Sequence, residues 1–65
     1  ATELRAYTEE FIHVLQGELE IQIGDEAFQM GPGDSIYYEG PMLRRLVARG
    51  DVTLRFLYVI TPPVF

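Results

Sequence analysis

The chain contains no cysteine. No disulfide can staple it, and no thiolate is available to bind zinc or to attack a substrate. Basic residues are few: five, all arginine, stand against ten acidic residues, for a net charge of −5. Phosphate backbones are repelled by that balance, and the arginines form no long run, so direct nucleic-acid binding by this segment is not expected. Apolar runs fall far short of the ~20 residues that a membrane helix needs. No signal peptide is visible either, which leaves the cytoplasm as the expected compartment and no membrane as a partner. Sixty-five residues allow one domain, spanning 1–65. A domain of that size buries only about 60% of the surface its unfolded chain exposes, so its core is marginal alone. With 48% hydrophobic residues the chain is nevertheless an ordinary globular sequence. The missing stability is expected from a partner surface, most economically in a homodimer.

What is present is a two-residue period. In Glu18-Leu19-Glu20-Ile21-Gln22-Ile23 every second residue is apolar, the pattern of a strand with one wet face. Gly24-Asp25-Glu26 reads as a tight hairpin connection, and Ala27 to Met30 as a short returning strand. Gly31-Pro32-Gly33-Asp34 is the strongest turn signal in the chain. Further strands are expected over Phe11–Leu15, Ser35–Tyr38, Arg44–Ala48 and Val52–Ile60, the last ended by Thr61-Pro62-Pro63. Helical periodicity is not sustained anywhere, and the pattern leaves a short helical turn open within Ala1 to Thr8. Short strands separated by Gly/Pro turns indicate an all-β sandwich or barrel.

Glu10 followed by six residues and Gly17, then Gly33-Asp34-Ser35 and a Pro41-bearing turn, resembles the two signature motifs of the cupins. The resemblance covers roughly residues 9 to 65. It implies a small cupin-type β-barrel, or jelly roll. Cupins supply one or two strands before the position of Glu9, so the barrel is expected to be truncated at its N-terminus or closed by a partner's strand. The closing Thr61-Pro62-Pro63-Val64-Phe65 is similar to the end of cupin domains that follow a helix-turn-helix in bacterial transcriptional regulators.

Cupins place three histidines and one glutamate inside the barrel, a set suited to Fe, Mn, Ni or Zn. By resemblance the carboxylate position falls on Glu10. The upstream histidine positions fall on Glu3 and Arg5, or on Leu4 and Ala6, and the last histidine position on Arg44. One ligand of four survives, so no metal and no cofactor are expected. His13 points to the face opposite Glu10, Ile12 and Val14, and no serine, cysteine or paired acid is spaced to work with it. No catalytic residue is therefore assigned.

The candidate ligand-binding residues are Glu10, Arg44, Tyr38, Met42, Phe56 and Tyr58. Arg44 either crosses the barrel mouth to pair with Glu10 or offers its fork to an anionic small ligand. Tyr38 and Met42 are placed at the mouth. Leu19, Ile21 and Ile23 are expected to face inward, with Leu54, Phe56 and Tyr58 opposite, and the phenols of Tyr37, Tyr38 and Tyr58 add hydrogen-bonding handles. Val52–Ile60 is apolar on both faces, which calls for a cover, expected to be a sister subunit. The expected function is a metal-free cupin module that binds a small molecule and dimerises, as the sensor part of a bacterial transcriptional regulator. The alternatives are a cupin isomerase or dioxygenase, and a purely structural dimerisation domain.

Overall fold

A computed structural model describes residues 8–62. The N-terminal stretch in which a helical turn was left open, 1–7, lies outside them, as do Pro63, Val64 and Phe65. Six strands follow one another: β1 (Glu9–Gln16), β2 (Glu18–Ile23), β3 (Glu26–Met30), β4 (Ser35–Glu39), β5 (Leu43–Arg49) and β6 (Arg55–Thr61). A 3-10 turn over Gly40–Met42 links β4 to β5, with Pro41 in its first turn. The strands form two antiparallel three-stranded sheets, in the orders β4-β1-β6 and β3-β2-β5. Only the β2–β3 hairpin stays within one sheet, so the chain passes repeatedly from one layer to the other. Among the described residues, no helix is long and apolar enough to cross a membrane.

The sequence period places the core. Glu10, Ile12 and Val14 of β1 and Leu19 and Ile21 of β2 are all buried, while their sequence neighbours are not. Met30 and Tyr38 complete the buried cluster, with Ile23, Ile36, Leu43, Leu54 and Phe56 packed against it. β1 and β2 are the central strands of their sheets, so their inward side chains fill the middle of the sandwich.

Gly17 turns the chain between the layers. Its φ of +84 lies in the left-handed region, and a Cβ there would stand 2.9 Å from both Leu54 Cα and the Thr53 carbonyl oxygen. The Gln16 amide donates to that same Thr53 carbonyl at 2.9 Å. This clasp holds residues 50–54 as a loop across Gly17. The strand expected over Val52–Ile60 therefore begins only at Arg55 and runs to Thr61. The turn at Gly31–Asp34 is fastened similarly: Gly31 N–H donates to the Asp34 carboxylate at 2.8 Å, and Gly33 N–H to the Val14 carbonyl at 2.8 Å.

The two outer faces differ in kind. On the second sheet, Glu18, Glu20 and Gln22 alternate with the inward residues, opposite Arg49, Val47 and Arg45. Arg49 Nε donates to Glu20 Oε1 at 2.9 Å. That bond, before the more distant Coulomb attraction of Arg49 and Arg45, holds the Glu20 carboxyl below its usual range. The outer face of the first sheet carries Phe11, Tyr37, Leu57 and Val59 instead.

Candidate functional site

Glu10 is 0% exposed. A carboxylate removed from water is costly unless donors replace the water. The Tyr38 phenol supplies one, donating to Oε1 at 2.8 Å, and Thr8 Oγ1 donates to Oε2 at 3.2 Å. Strand register brings Tyr38 there, because antiparallel β1 and β4 place Glu10 directly opposite Tyr38 and both point inward.

Arg44 is not a partner of Glu10, and the ion pair considered from the sequence is not formed. β5 carries a bulge at this point: Gln22 faces Arg45 and Ile23 faces Leu43, leaving Arg44 as the extra residue. The bulge turns it outward, where its Nη1 donates to the Pro41 carbonyl at 3.1 Å. Met42 is also exposed. Its Cε lies 3.1 Å from where a Cβ on Gly24 would sit, so it covers the β2–β3 turn instead of the mouth of a pocket.

The remaining candidates separate into two openings along the seams between the sheets. The first, a cavity of about 420 Å³ between edge strands β3 and β4, is lined by Ile23, Phe28, Met30, Ile36 and Tyr38, with Glu26, Gln29 and Asp34 among its polar groups. The second, of about 390 Å³ between β5 and β6, is apolar and lined by Leu43, Leu46, Phe56 and Tyr58. Tyr38 thus belongs to one cavity and Phe56 and Tyr58 to the other. Glu10 stands behind Tyr38, while Arg44 and Met42 line neither. The separation follows from the filled centre: Ile12, Val14, Leu19 and Ile21 occupy it, and these two openings lie at the edges. Glu26, Phe28 and Ile36 were not singled out from the sequence, although the alternation Glu26-Ala27-Phe28-Gln29-Met30 opposite Ile23, Ile21 and Leu19 carries the signal.

His13 points away from Glu10, as strand alternation requires, but it is not without a serine neighbour. Its Nδ1 lies 2.6 Å from Ser35 Oγ on the exposed face, because β1 and β4 pair His13 with Ser35 across 22 residues of sequence. Linear spacing cannot reveal such a cross-strand contact. The pair sits on an open sheet surface; Ser35 also lines the β3–β4 cavity, while His13 lines neither.

The residues do not fit a cupin metal. The Glu10 carboxylate is taken up by hydroxyl donors, and Arg44, at the last histidine position, brings a positive charge and faces outward. Among the described residues no group of three His, Asp or Glu side chains converges on a common point. The paired positions Glu3 and Arg5, or Leu4 and Ala6, lie outside those residues, and none of the four is a histidine.

No curated protein and no solved structure matches the chain at a significant level. A family model described as a cupin domain matches residues 3–60 of the 65. With two facing antiparallel sheets and the Gly17 and Gly31–Asp34 turns in place, the chain belongs to the cupin family.

Proposed function

We propose that this cupin domain binds a small molecule without a metal, in the cavity between β3 and β4, and serves as the dimerising sensor part of a cytoplasmic bacterial transcriptional regulator. The observation that carries the binding reading is the cavity itself. Its volume of about 420 Å³ lies within the range of small-molecule sites, roughly 300–1,000 Å³. Its walls are mainly apolar, and at the inner wall stands a phenol anchored on a buried carboxylate. The regulator assignment rests on the resemblance of Thr61-Pro62-Pro63 to the ends of such domains.

The ligand's charge is the point at which the structure changes the expectation. An anionic ligand was anticipated from Arg44, and Arg44 lines neither cavity. The charged residues of the β3–β4 cavity are Glu26 and Asp34, both acidic. An apolar molecule bearing an amine suits those walls better than a carboxylate. The test is a thermal-shift and NMR titration with 2-phenylethylamine and, separately, phenylacetate. The amine is expected to raise the melting temperature and to move the resonances of Phe28, Met30 and Tyr38, with Glu26→Gln weakening the effect. Stabilisation by phenylacetate alone would restore the anionic class.

The filled centre favours a second reading, a purely structural dimerisation domain. A chain whose cavity resonances respond to neither probe, nor to neutral analogues, while remaining dimeric, would establish that reading instead.

A further inference from the structure

The outer face of the first sheet carries an exposed apolar patch beside the polar His13–Ser35 pair. Leu57 is 54% exposed, Val59 50% and Tyr37 63%, with Phe11 between them on the central strand. The other sheet turns charged residues outward at the corresponding positions. A single layer of strands keeps one apolar face against its core, and a second apolar face needs its own cover.

Charge is unevenly distributed along this face. At one end Glu9 and Glu39 stand opposite each other on β1 and β4, a like-charged cross-strand pair that destabilises the isolated sheet. The Glu9 carboxylate, as a hydrogen-bond acceptor for the Tyr37 phenol, raises the phenol's pKa above its usual range. At the other end of β6 lies Arg55, which forms no ion pair among the described residues. Six residues of strand separate Arg55 from Thr61, the cross-strand neighbour of Glu9, or about 20 Å at strand rise.

We infer that this face is the contact surface for a second copy of the chain, packed sheet on sheet with its strands antiparallel to the first, so that Arg55 of each copy meets Glu9 of the other. The inference rests on the dimer reading above and adds its surface and orientation. Two face-to-face twofold arrangements exist. If the axis runs along the strands, the acidic ends coincide and four carboxylates, two from each copy, gather at one point. If the axis crosses the strands, each acidic end lies over the other copy's Arg55, and Val59 lies over Leu57. Only the second relieves the Glu9–Glu39 repulsion. Because a twofold interface repeats every contact, each dimer gains two such ion pairs.

Sedimentation equilibrium on the whole chain, at low and high salt, tests both layers of the inference. Leu57→Asp removes apolar contact in either orientation and is expected to yield a monomer. Arg55→Glu and Glu9→Arg are each expected to raise the dimer dissociation constant by about tenfold, since two exposed pairs are lost at once. Combined in one chain they restore it, because the charges are then exchanged and not removed. Circular dichroism verifies that each variant is folded. A wild-type monomer at all concentrations would overturn both the dimer reading and this surface. A dimer indifferent to Leu57→Asp would overturn the surface alone. A dimer lost on Leu57→Asp, yet tightened by Glu9→Arg and unmoved by Arg55→Glu, would replace the antiparallel orientation by the parallel one.

Discussion

Glu10 shows how much one position depends on its neighbours. Cupins use a carboxylate here as a metal ligand, and in this chain the same carboxylate accepts from Tyr38 and Thr8 in a site closed to water. A hydrogen bond to a charged group contributes more than a neutral one, and leaving such a group short of a donor in the core costs more still. Tyr38→Phe deletes the donor while keeping the ring. It is expected to destabilise the domain by about 1–3 kcal/mol in denaturant unfolding. Glu10→Gln in the same background should then cost less than it does alone, a coupling that a double-mutant cycle measures. The two positions are 28 residues apart, and the sequence marked each as a candidate without joining them. Their proximity is a matter of register between β1 and β4, which no local pattern encodes. Arg44 illustrates the opposite failure: counting from Gly33 found its position, but a bulge decides where its side chain goes.

At the scale of elements, alternation located the strands and the turns closed them. β2 runs from Glu18 to Ile23, as its apolar period indicates, and the other strands lie within a few residues of expectation except at one end. β6 starts three residues late because the loop before it is clamped over Gly17. That clamp makes Gly17 the glycine with the least freedom to change. Gly17→Ala would force a side chain into a left-handed backbone position and against the Thr53 carbonyl and Leu54 Cα at 2.9 Å. Both faults are backbone contacts that cannot rotate away. The expected loss is at least about 1 kcal/mol, and a domain of this size would melt about 4–8 °C lower for each kcal/mol. Gln16→Ala removes only the amide bond to Thr53 and should cost less, so the two variants separate backbone strain from hydrogen bonding.

For the whole molecule the decisive quantity is how little interior 65 residues enclose. Among the described residues six hydrophobic side chains are buried, while Leu57, Val59 and Tyr37 remain in water on the outer face of the first sheet. Folding that is completed by association becomes dependent on concentration, because anything that binds only the folded chain stabilises it by mass action. The melting temperature is therefore expected to rise as protein concentration rises through the dimer dissociation constant, and calorimetry over a hundredfold concentration range reads it. In Leu57→Asp the melting temperature should be lower and flat with concentration.

The sequence by itself determined the class of fold, since a two-residue apolar period interrupted by Gly and Pro is a local property that a strand and a turn each satisfy without distant help. By the cupin resemblance it also leaves one of the four metal-ligand positions filled, because a histidine that is not encoded cannot be supplied by folding. Tertiary structure alone decided what became of the surviving residues. Register set Glu10 against Tyr38 and His13 against Ser35, a bulge expelled Arg44, and the packing of β1 on β2 filled the centre and moved the cavities to the seams. Each of these depends on which strand lies beside which, and pairing across 22 or 28 residues is settled by the fit of whole sheets and not by any segment of chain.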